Sequence, residues 1–382
     1  MGRAVSLLLL GLALTAVAAF FDLAPLYVPG IAFTALALAA PAWVELAARR
    51  ARVTRELPAT RVVEQQPVEL LLRVRAGALP LPLPAATVED PLLDLPLRLP
   101  PGGGDRAFTV VARFPRRGRH RIAPPALVLR DPFELTRRAV RARDADDELL
   151  VLPRTSEIAF ARRRDGDGRA AGAATLLGAA ATDVDGIRRY REGTPATRIH
   201  WPSLASRQEL MERRLRVTES LRPLVVLDVR GAPNPDALDA VVRAAASLTL
   251  ALAREGGCAL LLPGERRPSV VGAELAAWPA AHVRLALVEG GDRAPAPALG
   301  GVGQRRGPLL YVSARRVDRL PPAAQAIARG PASLVVPGRL PGRESQFAVA
   351  GCHGYAQTLG RGPRLAAETL AAQARPADGG AR

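Results

Sequence analysis

The chain has 382 residues, of which 48% are hydrophobic, so it can supply a membrane anchor and two folded domains and does not read as globally disordered. All 53 basic residues are arginine, and the absence of lysine excludes a Walker-A phosphate loop, a Schiff-base lysine and a lysine general base. The net charge of +17 suits nucleic acid, anionic lipid or an acidic protein. Aromatic residues are only 4%, and no short basic segment interleaves with stacking aromatics, which disfavours binding to single-stranded nucleic acid.

Two uncharged stretches open the chain, at residues 4–21 and 23–44. As a helix the first would be roughly 27 Å long, close to the thickness of a membrane's hydrocarbon core. The second begins with a turn-like segment at 25–30, so its helix is predicted to start after Gly30. Only a few residues around Asp22 separate the two stretches, which predicts an antiparallel helical hairpin.

A cleavable signal peptide is the alternative, because Arg3, a leucine-rich core and small residues near Ala18 fit that pattern. The second apolar stretch and the arginine cluster at 49–55 favour the hairpin. Positive charge lies at both ends of the hairpin and only Asp22 lies in the connection, so the positive-inside rule places both ends in the cytoplasm. We therefore expect residues 1–52 to be a transmembrane hairpin in the inner (plasma) membrane, with the soluble domains in the cytoplasm.

Residues 53–155 contain short runs of alternating apolar and polar residues, a pattern typical of half-buried strands. The strand-like runs are apolar positions 68, 70, 72 and 74, apolar positions 108, 110, 112 and 114, and residues 126–129 and 149–152. Several short strands in about 90 residues predict an antiparallel β-sandwich of immunoglobulin-like size. The Cys–Trp–Cys core of antibody domains is missing, and no catalytic grouping stands out in this region.

Residues 156–215 are predicted to be a linker, rich in Gly and Ala at 162–182, followed by the densest polar cluster of the chain. The candidate site residues of this cluster are Asp185, Arg188, Tyr190, Arg198, His200, Trp201, Ser206 and Arg207. Guanidinium groups, carboxylates and an indole can form a stacked network that pins a loop to a domain, or can bind an acidic partner. A nucleophile role, with His200 activating Ser203 or Ser206, lacks the necessary spacing and elbow motif.

The runs DGIRRYREG at 185–193, RIHW at 198–201 and SLASR at 203–207 resemble the signature of the family catalogued as domain of unknown function fifty-eight. FPRRGRHRI at 114–122 and DPF at 131–133 resemble the strand-and-turn run that precedes the signature in that family. The resemblance covers most of the chain. It implies a membrane hairpin, a β-rich region, the signature and a von Willebrand factor A-like domain. Thr194 is a departure, because the family usually has aspartate there.

Residues 216–376 alternate strand-like and helical patterns, and a frayed tail is predicted at 377–382. The predicted strands are 224–228, 258–262, 283–288, 309–313 and 333–336. Asn234 caps and Pro235 begins a buried helix that reaches Glu255, where two glycines stop it. The alternation predicts a doubly wound, mainly parallel α/β sheet, so the whole chain is predicted to be an α+β multi-domain protein.

Asp228 ends the first of these strands, and in such a sheet the ligand crevice lies at the carboxyl ends of the strands. Von Willebrand factor A domains often bind Mg²⁺ there through Asp-x-Ser-x-Ser, but this chain has Arg230 and Ala232 at the serine positions. Because a hard cation needs several oxygen ligands, we expect no metal and interpret Asp228 as a degenerate metal-site position, a strand-end cap or the partner of Arg230. Cys258 and Cys352 are too few for a disulfide framework or a zinc site and are predicted to be small core residues.

The family resemblance implies a non-catalytic adaptor or assembly factor in cell-envelope processes, with no cofactor. Its members are commonly associated with MoxR-type AAA+ ATPases and with transglutaminase-like membrane proteins, so we expect such an ATPase as the partner. Two alternatives remain open. The charge permits a nucleic-acid-binding membrane protein, and His200 with a nearby serine permits a cryptic hydrolase.

Overall fold

The computed structural model describes residues 2–76, 83–102, 104–142, 146–161, 183–190, 210–216, 222–291 and 293–358, with the backbone alone at 183–188 and 212–216. The chain combines α-helices with several β-sheets, as predicted, and divides into two compact units, Met1–Leu152 and Pro153–Arg382. The predicted domain boundaries at 52, 155 and 215 stay predictions. Residues 162–182 of the predicted linker and the predicted tail at 377–382 lie outside the described residues.

Two helices open the first unit, α1 at Gly2–Phe21 and α2 at Ala24–Arg50, and they pack against each other. Both are long and apolar enough to cross a membrane. The turn predicted at 25–30 is wrong, because α2 already includes these residues. Pro25 fits there because it lies in the first helical turn, where the backbone N–H groups have no intrahelical partner.

Glycines allow α1 and α2 to approach each other closely. A Cβ atom on Gly11 would lie 2.6 Å from Oγ1 of Thr34, and a Cβ atom on Gly30 would lie 2.9 Å from the backbone N of Thr15. Neither position has room for a side chain without movement of the partner helix. Contacts of this kind let apolar helices pack through backbone van der Waals contact.

The rest of the first unit is built from short strands in three small sheets. The described strands are β1 Arg52–Glu56, β2 Arg61–Val63, β3 Pro67–Arg75, β4 Ala85–Glu89, β5 Leu97–Leu99, β6 Arg106–Arg113, β7 Gly118–Ile122, β8 Ala126–Arg130, β9 Arg137–Arg141 and β10 Asp147–Leu152. Their orders are β1-β3-β6, β2-β10-β7 and β5-β4-β8-β9. β2 and β10 pair in parallel, so the prediction of an entirely antiparallel region is wrong at this pair. Alternation shows which side chains are buried, but not the direction of the neighbouring strand.

β3 connects two cores of this unit. Its residues Val68, Leu70, Leu72 and Val74 are buried, as the alternation predicts. Leu72 and Val74 share one core with β4, β5 and β8, whereas Val68 and Leu70 share another with β7 and β10. The end of α2 joins the first core through Val44, so this helix continues from its apolar span into the fold.

The second unit centres on one eight-stranded sheet. The described elements are strands β11 Ala159–Phe160, β12 Asp183–Arg189, β13 Met211–Arg216, β14 Leu224–Asp228, β15 Cys258–Leu261, β16 Ser269–Val271, β17 Leu309–Ser313, β18 Ala332–Pro337, β19 Phe347–Val349 and β20 Cys352–Gln357, with helices α3 Pro235–Gly256, α4 Trp278–Ala286 and α5 Pro322–Ile327. The order is β11-β19-β20-β18-β17-β14-β15-β16, and β12 pairs with β13 in a separate hairpin-like pair. The central strands β18, β17, β14 and β15 are parallel, whereas the edge pairs are antiparallel, so the sheet is mixed and not mainly parallel as predicted.

Helices cover both faces of this sheet. Val225 and Leu227 of β14 pack in one core with α3 and α4, whereas Leu224 and Val226 pack in a second core with α5. The predicted start of α3 is confirmed, since the side chain of Asn234 accepts a hydrogen bond of 2.7 Å from the backbone N–H of a first-turn residue.

The strand predicted at 283–288 is wrong, because most of this segment belongs to α4. Pro279 lies in the first turn of the helix, a position that proline favours. Ala281 and Leu285 are buried four residues apart on one helical face. A short apolar run does not by itself distinguish a buried strand from a buried helix segment.

Candidate functional site

Of the predicted signature at 185–207, the structure describes only the first part, residues 185–190. Asp185 and Arg188 lie on β12, and Tyr190 follows that strand directly. The backbone N–H of Tyr190 donates a hydrogen bond of 3.0 Å to the carbonyl oxygen of Leu210, next to β13. The candidates Arg198, His200, Trp201, Ser206 and Arg207, together with Ser203, lie outside the described residues, so their assembly into one cluster stays a prediction.

Within the described ranges, a candidate site lies where β14 and β17 end. β14 leads through α3 to β15 on one side of it, whereas β17 lies on its other side, so the strand order reverses between β14 and β17. In open α/β sheets such a reversal opens a crevice at the carboxyl ends of the two strands. Asp228 ends β14 and pairs in register with Ser313, which ends β17.

Asp228 is only 6% exposed, and both of its carboxylate oxygens accept hydrogen bonds. Oδ1 accepts from Nε of Arg230 at 2.9 Å and from the backbone N–H of Arg230 at 3.2 Å. Oδ2 accepts from Nη2 of Arg230 at 2.8 Å and from the hydroxyl of Tyr311 at 2.5 Å. The ion pair expected between Asp228 and Arg230 is therefore present, in the bidentate geometry that arginine favours.

The charges of this network are well defined at neutral pH. Burial by itself would raise the pKa of Asp228, but the hydrogen bonds from Arg230 and Tyr311 and the guanidinium charge outweigh it and hold that pKa below its ordinary value. The hydrogen bond to Asp228 raises the pKa of Arg230. Burial, with the hydrogen bond to Asp228, raises the pKa of Tyr311, so its phenol stays a neutral donor.

A cleft of about 440 Å³ opens over the network, and its lining includes Arg230, Arg315, Asp318 and Arg319. The side chain of Arg230 is 44% exposed, and the other three residues are exposed as well. Arg230 and Asp228 neutralise each other, so the remaining charges are two arginines against the carboxylate of Asp318. The cleft therefore has a positive potential and suits an anionic group such as a carboxylate.

The cysteines and histidines of the described ranges form no metal site. No group of three or more His, Cys, Asp or Glu side chains in this part of the chain is arranged to hold an ion. Cys258 and Cys352 are buried and free, and burial raises the pKa of each thiol to about 12. Both thiols therefore stay protonated at neutral pH and behave as small core residues.

Tyr311 is the member of the network that sequence reasoning missed. It lies in an otherwise aliphatic strand and is 1% exposed, with its hydroxyl aimed at Asp228 of the neighbouring strand. A phenol in a strand that is predicted to be buried on both faces needs a hydrogen-bond partner. That requirement is the feature of the sequence from which a polar partner for Tyr311 could have been predicted.

No protein-family model matches the chain, and no curated protein matches it. The resemblance to the family of domain of unknown function fifty-eight therefore rests only on the signature residues and on the runs at 114–122 and 131–133. The candidate site is defined by its geometry.

Proposed function

We propose that the protein is a membrane-anchored adaptor without catalysis of its own, which holds an acidic cytoplasmic protein through the cleft of its second unit. The observation that carries the proposal is that Arg230 and Tyr311 donate hydrogen bonds to the carboxylate of Asp228. Both carboxylate oxygens already accept hydrogen bonds, so the crevice offers guanidinium N–H donors to a ligand and not oxygen ligands to a cation.

The hydrogen bonds of the hydroxyl groups in the cleft also favour a binding function over a catalytic one. Ser313 donates to the carbonyl oxygen of Arg315 at 2.9 Å, and Tyr311 donates to Asp228. A catalytic hydroxyl needs a base that takes its proton, and Asp228 is already committed to Arg230. Neither hydroxyl is therefore activated as a nucleophile.

The finer fold assignment belongs to the same proposal. A parallel sheet centre with helices on both faces and Asp228 at the switch point supports a von Willebrand factor A-like, doubly wound domain. Three small sheets that share two cores support an immunoglobulin-like sandwich in the first unit. The residues at 185–193 and 198–207 support membership of the family of domain of unknown function fifty-eight.

The location in the cell is supported by the helices and their flanking charge. α1 and α2 have the length and apolar composition of membrane spans. Arg3 and the arginines at 49–55 flank the hairpin, whereas the connection carries Asp22, which favours an inner-membrane protein with its soluble units in the cytoplasm.

The partner class follows from charge. A basic cleft on a chain of net charge +17 favours an acidic protein surface. The family resemblance adds a MoxR-type AAA+ ATPase as the partner, with a transglutaminase-like membrane protein as a possible second member of the assembly.

Affinity capture of the tagged full chain from native membranes, with quantification of the bound AAA+ ATPase, tests this proposal. The double variant Arg315→Glu, Arg319→Glu replaces the two exposed cleft arginines other than Arg230 with carboxylates, which repel an acidic partner. We expect capture to weaken by about tenfold or more, which corresponds to about 1.4 kcal/mol of binding free energy. Arg254→Glu is the matched control, because this exposed arginine lies in the last turn of α3, outside the cleft lining.

Equal capture by the cleft variant and the control would overturn the cleft as the docking site. If the unsubstituted chain captures no AAA+ ATPase, the proposed identity of the partner is wrong. Recovery of nucleic acid, with binding that falls steeply as salt is raised, would instead support the nucleic-acid alternative.

A further inference from the structure

A second surface lies on the first unit at residues 131–136, between β8 and β9, and is called here the Phe133 turn. We infer that the Phe133 turn inserts its aromatic tip into the lipid headgroup region beside α1 and α2. The inference rests on the membrane anchor of the proposed function and extends it, because it adds a lipid contact from the β-rich part of the chain.

The turn presents Phe133 on a rigid support. Asp131 is buried, and its carboxylate accepts hydrogen bonds from the backbone N–H groups of Phe133 at 2.9 Å, Leu135 at 3.2 Å and Thr136 at 2.5 Å. The side chain of Phe133 is nevertheless 60% exposed. Transfer of an exposed phenylalanine ring from water into an apolar phase is favourable, so this ring would gain free energy by entering a bilayer.

Two ion pairs place this turn at one end of the helical hairpin. Glu134 lies 3.5 Å from Arg3, in the first turn of α1. Arg138, on the adjacent strand β9, lies 3.5 Å from Glu45 of α2. All four side chains are exposed, so these pairs contribute little to stability. They do show that the Phe133 turn and β9 lie beside the polar ends of both apolar helices.

The packing of the helices gives the level of the turn. Gly11 of α1 faces Thr34 of α2. Eight residues from this contact towards the open end of the hairpin, α1 reaches Arg3 and α2 reaches Ala42, so these two residues lie at a similar level. α2 extends eight residues further, to Arg50, or roughly 12 Å. Val44 in this extension is buried in the core of the first unit. The β-rich part is therefore packed directly against the end of the apolar span and is not held on a separate tether.

Charge complements the aromatic tip. Exposed arginines follow the turn at the start of β9, at Arg137 and Arg138, and others lie in the last turn of α2, at Arg49 and Arg50. Arginines near an anionic leaflet are attracted to its headgroups, and aromatic side chains concentrate at the same depth. An exposed phenylalanine level with the start of α1, with Arg3, Arg137 and Arg138 on the adjoining elements, therefore fits a bilayer surface.

Site-directed spin labelling of the full chain in vesicles of phosphatidylethanolamine and phosphatidylglycerol tests this inference. A nitroxide on Phe133→Cys reports whether the position collides more with oxygen, which concentrates in lipid, or with a water-soluble nickel complex. The native cysteines give little background, because both are buried and their thiol pKa is raised to about 12. Val111→Cys, at an exposed position on β6, is the matched water-facing control, and Leu9→Cys, exposed in the middle of α1, is the lipid-facing control.

We expect the oxygen-to-nickel collision ratio at position 133 to be several-fold higher than at position 111 and lower than at position 9. A ratio at position 133 equal to that at position 111, with a high ratio at position 9, would overturn the inserted turn and leave the anchor intact. Low ratios at all three positions would overturn the anchor and the inserted turn together.

Discussion

Arg55 carries a positive charge in the interior of the first unit, five residues after the end of α2. Its side chain is 1% exposed, and Nη1 donates to both carboxylate oxygens of Asp90 at 3.1 and 3.0 Å. Nε and Nη2 donate to Asp147 at 2.9 and 2.6 Å, and Nη2 also donates to the carbonyl oxygen of Ile122. Arg55 therefore joins β1 to the end of β4 and to β10. A buried charge of this kind depends on all of its partners.

The first prediction concerns this arginine. Arg55→Met should destabilise the first unit by about 3–5 kcal/mol, because it leaves the buried carboxylate of Asp90 without a counter-charge. Hydrogen exchange of the β3 and β10 amides in the full chain reports the free energy of opening of this unit. Arg73→Ala is the control, since Arg73 makes an exposed ion pair with Glu56 and should change that free energy by less than about 1 kcal/mol.

Adding Asp90→Asn to Arg55→Met should restore part of the loss, because it removes the unpaired charge. Equal protection in Arg55→Met and in the unsubstituted chain would show that the network contributes nothing to the stability of the unit.

At the residue scale, the sequence predicts local pairs better than pairs between distant strands. Asp228 and Arg230 are two residues apart, and their ion pair follows from that spacing. Tyr311 reaches the same carboxylate across the sheet, from a position 83 residues later. Its partner depends on which strand lies beside β14, and local pattern does not contain that information.

At the element scale, the strands with clear patterns are predicted almost to the residue. β14 and β17 have the predicted ends, since continuous apolar runs bounded by polar or turn residues mark strands buried on both faces. The hairpin of β19 and β20 is absent from the prediction, because β19 has only three residues and β20, with the sequence CHGYAQ, has no continuous apolar run. Its turn shows in the structure through the positive φ angles of Ala350 and Gly351.

The second prediction concerns the packing of α1 on α2. Gly30→Leu should destabilise the hairpin by about 1–3 kcal/mol or more, because the added side chain meets the backbone of Thr15. Thermal unfolding of the full chain in detergent, followed by far-ultraviolet circular dichroism, measures the effect. Gly2→Leu is the control, because a Cβ atom there meets no atom within 4 Å. If Gly30→Leu melts like the control, the close approach at Gly30 does not hold the helices together.

At the scale of the whole molecule, the proposed topology depends on the charges at the two ends of the helical hairpin. α1 ends at Phe21 and α2 begins at Ala24, so both hairpin ends must lie on the same side if the two helices cross the bilayer. The exposed arginines at the open end are Arg3, Arg49, Arg50 and Arg52, whereas Arg55 is buried in its ion-pair network. The first four can therefore be replaced without disturbing the core of the first unit.

The third prediction follows from that distribution of charge. Enzymatic reporters fused after residue 55 and at the C-terminus should both show a cytoplasmic location, because the positive-inside rule retains the arginine-rich ends there. The triple variant Arg49→Ala, Arg50→Ala, Arg52→Ala should shift part of the population to the opposite orientation, seen as external reporter activity. Glu56→Ala, which removes an exposed acidic residue of β1, is the control. It should keep one orientation, because acidic residues contribute little to the positive-inside rule. External activity from the unsubstituted fusions, or a mature N-terminus near Phe20, would contradict the hairpin and favour a cleaved signal peptide.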